Sequence, residues 1–173
     1  MTRKKKEQRR VDVTVEASGC RLRDEYGRSA EFLATEVGIP AGHTVEIILA
    51  STERMRELKL AHFGEDVDTD VIAFPTDFPE LGDGVPSLAG EIFVGVDQVA
   101  RNAAAEGWSL SEELLFVTAH GLLHLRGWDD GSEADRRAMF DEQYRLLALL
   151  RGQGVDCTRV VELVAADVEM VVR

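Results

Sequence analysis

Only two cysteines, Cys20 and Cys157, occur in the 173 residues, and neither has another thiol nearby. This excludes a thiolate zinc knuckle, a C-x-x-C redox pair and a disulfide-dense scaffold, and it points to a reducing cytoplasm. No apolar run approaches the roughly 20 residues that span a bilayer. The chain opens on a basic segment followed by alternating Val11-Asp12-Val13-Thr14-Val15 rather than an apolar signal core, so neither a membrane anchor nor export is expected. Lysine is scarce, limited to Lys4, Lys5, Lys6 and Lys59. Acidic residues outnumber basic ones by 32 to 20 for a net charge of −12, and six of the basic residues crowd into residues 1–10 beside a single Glu. The remainder holds 14 basic against 31 acidic residues. So acidic a body repels a phosphate backbone, which argues against broad nucleic-acid binding, and no DNA partner is expected. With four prolines and 45% hydrophobic residues, the composition is that of an ordinary globular domain rather than a disordered or fibrous chain.

Alternation and β-branched content predict strands at residues 11–15, 44–49, 71–74 and 91–96. Leu22, Tyr26, Ala30, Leu33 and Val37 recur at helical spacing and stop at Gly38, the pattern of an amphipathic helix closed by glycine. A second helix starts near Ser51, and Asp97 is expected to cap an Ala-rich third helix ending at Gly107. Pro75, Pro79, Gly82, Gly84 and Pro86 mark a long loop. Ser109-Leu110-Ser111-Glu112 matches a capping box, so a helix should run from Leu110 to Leu125 before Gly127. Ser132 caps a last helix ending at Gly152, and the valine-rich remainder has no clear pattern. The expected fold is α/β of the α+β type: a small mixed four-stranded sheet flanked by helices, with one helix facing a cleft. Residues 1–10 read as a basic disordered tail, 11–152 as the functional domain and 153–173 as an extension.

His120 and His124 lie four apart on the predicted helix 110–125, so both imidazoles leave the same face one turn apart. That is chelating spacing. Gly127 then offers a turn by which Asp129 or Asp130 can fold back onto the pair, completing the two-His, one-carboxylate set that suits catalytic zinc and also iron. The metalloprotease pattern H-E-x-x-H fails, because Gly121 stands where the catalytic glutamate belongs.

The run His120-Gly121-Leu122-Leu123-His124-Leu125-Arg126-Gly127-Trp128-Asp129-Asp130 resembles the signature H-G-x-L-H-L-x-G-Y-D-H of the YbeY endoribonucleases, bacterial rRNA maturation factors. Thr69-Asp70-Val71-Ile72-Ala73-Phe74 is similar to that family's T-N-V-L-S-F motif, and Ala89-Gly90-Glu91-Ile92 to its L-G-D-I motif. The resemblance implies one bound Zn2+ or another divalent ion, held by His120, His124 and, in place of the family's third histidine, Asp130. It implies a metal-dependent endoribonuclease of single-stranded RNA, acting on the 3′ end of small-subunit rRNA and in ribosome quality control. Small ribosomal subunits or assembly factors would be its partners. The family's RNA-handling arginine falls at Phe63 here, so Arg56, Lys59 or His62 on the same helix are the candidates for substrate binding. Trp128 can stack on a base or cover its own loop, while His43 reads as a strand-edge residue. The rival expectation is a ribosome-assembly binding factor whose nuclease activity is weakened or lost, favoured by the acidic body and by Phe63.

Overall fold

The computed structural model describes residues 9–76 and 87–164. Its elements, in chain order, are β1 (Val11–Val15), β2 (Cys20–Leu22), α1 (Asp24–Glu36), β3 (His43–Ala50), α2 (Thr52–Phe63), β4 (Val71–Pro75), β5 (Ser87–Gly95), α3 (Val96–Glu106), α4 (Leu110–Leu125), α5 (Glu133–Gly152) and β6 (Val161–Leu163). Strands β1, β3, β5 and β4 lie side by side in that order, parallel except for β4, which runs antiparallel to β5. This is the expected small mixed sheet of four strands with helices around it. A second sheet of two strands, β2 and β6, is the feature the sequence pattern did not reveal.

α4 is the organising element. Most helices bury one stripe, but this one is apolar nearly all round and is buried from Ser111 to Leu125 except at Glu112, His120 and His124. It packs on the sheet, on α1, on α3 and on α5, and its side chains join those of β3 and β5 in the main core around Ile47, Leu49, Ile92 and Leu122. Its start is fixed by the anticipated capping box: the Ser109 hydroxyl accepts from the Glu112 amide at 3.2 Å, while the Glu112 carboxylate accepts from the Ser109 amide at 3.0 Å. Inside the core, the hydroxyls of Tyr26 on α1 and Thr118 on α4 share a hydrogen bond of 2.8 Å.

The structure corrects several local expectations. Leu22 belongs to β2, not to the first helix, because it pairs with Val161 at the far end of the chain. Val96 opens α3 instead of closing a strand, so Gly95 rather than Asp97 is the residue before the helix. Asp97 instead accepts a 2.7 Å hydrogen bond from the Thr52 hydroxyl at the start of α2. The C-terminal stretch that showed no pattern contributes Cys157, Val160 and Val161 to the main core, and the Ser111 hydroxyl receives the amides of Val160 and Val161 at 3.0 and 3.1 Å. Most of the basic tail (1–8), the expected long loop (77–86) and the last residues (165–173) lie outside the described residues.

Candidate metal centre

α4 carries both histidines to one face, and the chain beyond it supplies the third group. The helix ends in a glycine-dependent reversal: the Gly127 amide donates to the His124 carbonyl at 2.9 Å and the Trp128 amide to the Leu123 carbonyl at 3.1 Å. Gly127 sits at φ +88°, which a residue with a Cβ adopts at a cost. The reversal lays the Trp128 carbonyl against His124. Asp129 then closes the next turn, its Oδ1 accepting the amides of Asp130 at 2.8 Å and Gly131 at 3.2 Å. Asp130 is left facing the imidazoles, with Oδ2 at 3.5 Å from His120 Nε2 and 3.7 Å from His124 Nε2.

The two Nε2 atoms stand 2.9 Å apart. Each opposite ring nitrogen is already committed. His124 Nδ1 lies 3.0 Å from the Trp128 carbonyl, which can only accept. His120 Nδ1 lies 3.0 Å from Gln143 Oε1, and the Gln143 amide nitrogen is fixed by donating to the Phe116 carbonyl at 3.0 Å. Both Nδ1 atoms must therefore be the protonated ones in the neutral rings, and both Nε2 atoms present lone pairs. Two lone pairs and a carboxylate oxygen converging on one point repel one another unless a cation or a proton lies between them. The group also has metal-site dimensions. The three ligand atoms all lie within 4.8 Å of one another, and their pair separations bracket the about 3.3 Å edge of a tetrahedron with zinc bonds of roughly 2.0–2.1 Å. The residues present fit a divalent metal. Among the described residues this is the one group of His, Cys, Asp and Glu with such geometry.

Gly121 explains why no glutamate stands between the histidines. A Cβ built there would lie 2.7 Å from Ile92 Cγ2 and 3.3 Å from Val71 Cγ2, so the sheet needs a glycine on that side of α4. His120 and Asp130 face a cleft of about 540 Å³, lined by residues on and next to β4, α3, α4 and α5 that include Asp70, Asn102, Glu113, Phe116 and Gln143. Among the described residues lining it there is no Lys or Arg. Glu113, two turns before His120 on the same face of α4, is only 7% exposed. Burial, followed by the negative charges of Asp70 and Glu106, pushes its carboxyl above the usual glutamate range, while a hydrogen bond with Asn102 opposes the shift.

A sequence profile described as Endoribonuclease YbeY matches residues 5–151. The chain belongs to the YbeY endoribonuclease family. An Endoribonuclease YbeY of Thermus thermophilus is 42% identical over 123 residues, covering 70% of this chain and 86% of that protein. One from Geobacillus kaustophilus is 34% identical over 144 residues, covering 80% of this chain and 92% of its own. The solution structure of TM1509 from Thermotoga maritima superposes with a TM-score of 0.57 at 26% identity, covering 83% of this chain and 91% of that one. The fold expected from the YbeY resemblance is the fold observed.

The structure brings together His120, His124 and Asp130, but not the residues considered for substrate binding. Arg56 on α2 pairs with Asp66 at 2.8 Å, Lys59 pairs with Glu65 at 3.2 Å, and the ring of His62 packs on Phe74 with centroids 4.7 Å apart. None of the three lines the cleft. Phe63 is 52% exposed and stacks on Phe74, and Trp128 is 39% exposed, acting on the site through its carbonyl. Sequence reasoning overlooked Gln143 and Glu113. Both left a signal, since each is a polar residue on an otherwise apolar helical face: Gln143 among Met139, Leu146 and Leu147, and Glu113 beside Leu114 and Val117. No described helix is long and apolar enough to cross a membrane.

Proposed function

We propose that this chain is a metal-dependent endoribonuclease that cuts single-stranded RNA, and that His120, His124 and Asp130 hold its divalent ion, zinc by the chemistry of the set. Membership of the YbeY family supports the reaction class, and relatives carry the name Endoribonuclease YbeY. The observation that carries the metal assignment is the pair of Nε2 atoms 2.9 Å apart beside a carboxylate, with both Nδ1 atoms engaged elsewhere. Bound there, a divalent cation would supply Lewis-acid stabilisation of the phosphoryl oxygens, on which charge develops, and would acidify a water.

The chain's own residues fix where this happens. Gln143 and the Trp128 carbonyl hold both imidazoles in one tautomer and orientation, so no reorganisation is needed when substrate arrives. Asp130 contributes the negative charge that the family's histidine would not, lowering the net charge of the loaded centre by one. The proposed setting is cytoplasmic maturation of the small-subunit rRNA 3′ end and ribosome quality control, with small ribosomal subunits or assembly factors as partners. Zinc-loaded protein should cleave single-stranded RNA, and His124→Ala should abolish cleavage while leaving the circular dichroism spectrum intact. Full activity in that variant overturns the assignment.

A second reading is supported by the lack of Lys or Arg among the described residues lining the cleft and by Phe63 at the family's arginine position. In it, the protein is a ribosome-assembly binding factor that has lost the nuclease step. Folded, zinc-loaded protein that leaves RNA intact yet sediments with small subunits would establish it.

A further inference from the structure

Beside His120, the cleft is walled by aromatic rings. Phe116, one turn before His120 on α4, is buried at the centre of the group. Trp108 meets it edge-on with centroids 5.3 Å apart, Phe140 lies nearly parallel to it at 6.0 Å, and Tyr144 leans on it at 5.1 Å. Phe140 and Tyr144 lie one turn apart on α5 on either side of the Gln143 backbone, and Gln143 ties Phe116 to His120. Rings that served only the core would be covered. Phe140 is 46% exposed and Tyr144 is 53% exposed, at the mouth of a cleft that also contains His120 and Asp130.

We propose that this aromatic wall is a nucleobase subsite, in which Tyr144 and Phe140 stack against one unpaired base of the substrate RNA next to the phosphate facing His120 and His124. The inference rests on the single-stranded RNA reading of the same site. Three observations specify the occupant. Exposed aromatic faces are what single-stranded nucleic acid uses when sequence is not read through a duplex groove. The lining supplies acceptors, Asp70 and Glu106, but no described cation, so it suits the N–H edge of a base and not a phosphate. The spacing also suits it, since Phe116 and His120 are four residues, about 6 Å, apart along α4, placing a stacked base beside its own backbone. This arrangement lets so acidic a protein hold RNA: the base provides the grip that a basic groove provides elsewhere.

The test uses full-length, zinc-loaded protein and single-stranded RNA oligonucleotides carrying the fluorescent base 2-aminopurine at successive positions, read by both affinity and quenching. Wild-type protein should quench one position strongly. Tyr144→Ala and Phe140→Ala should each weaken binding by about 10-fold or more and abolish that quenching, whereas Tyr144→Phe should retain both. Removing the base at the quenched position should weaken wild-type binding and make wild type and Tyr144→Ala equal. Undiminished affinity and quenching in both alanine variants overturns the subsite, as does an equal loss by Tyr144→Ala on intact and abasic RNA. Cleavage is measured in parallel, so quenching without cleavage leaves the subsite standing while the nuclease reading falls, and cleavage without ring dependence does the reverse.

Discussion

His120 and Gln143 are joined by a 3.0 Å hydrogen bond between helices α4 and α5, and that bond decides which imidazole nitrogen is bare. Gln143 is completely buried, and its other end is held by the Phe116 carbonyl. The metal-facing chemistry of one helix is thus set by a side chain of the next. Gln143→Leu leaves the His120 Nδ1–H without its partner and removes the hydrogen bond that the Phe116 carbonyl accepts in addition to its own helical one. A loss of about 1–3 kcal/mol in denaturant unfolding and a roughly 10- to 100-fold fall in zinc affinity by titration are expected. Unchanged zinc affinity would show that Gln143 serves packing alone.

Asp130 is the position at which this chain departs from the three-histidine pattern. Asp130→Ala should bind markedly less zinc by elemental analysis than wild type, both being folded by circular dichroism. Asp130→His should restore one ion per chain, because imidazole and carboxylate are both competent zinc ligands. Equal zinc in wild type and the alanine variant would assign the third ligand to another residue.

Gly121 and Gly127 are predicted to fail for different reasons. At Gly121, an alanine Cβ would meet Ile92 at 2.7 Å, pushing α4 off the sheet. Thermal unfolding of Gly121→Ala should show a loss of about 1–3 kcal/mol and a weakened metal site. Gly127→Ala meets no neighbour within 4 Å, but holds φ +88° against a Cβ. Its expected loss is about 1 kcal/mol, and Gly127→Asn should lose less.

Glu113 gives stability a pH dependence of definite sign. Its folded carboxyl is raised above the unfolded one by burial and by the facing charges of Asp70, just before β4, and Glu106 from α3, against the opposing hydrogen bond of Asn102 from α3. Above the ordinary glutamate range the folded state therefore keeps a proton that the unfolded chain has released. The stability contributed by Glu113 is full at low pH and falls as pH rises through the folded value. Metal-free wild type should lose stability over that interval more steeply than Glu113→Gln, whose neutral amide does not titrate. Parallel pH profiles would remove Glu113 as the cause.

The sequence by itself determined what depends on near neighbours. The capping box of Ser109 and Glu112 starts α4, the four-residue spacing puts His120 and His124 on one face, and Gly127 permits the reversal that returns Asp130. Each needs only a few consecutive residues, whose backbone hydrogen bonds close on themselves, so the pattern and the geometry are the same information. Strand order and the second sheet were decided elsewhere. Leu22 reads as helical until Val161 arrives from the far end of the chain to pair with it. Tertiary structure also decided the tautomer of His120 through Gln143, the raised carboxyl of Glu113, the aromatic wall and the positions of Arg56 and Lys59 in surface ion pairs. Burial and charge environment are properties of what packs around a residue, and those neighbours come from helices and strands distant in the chain.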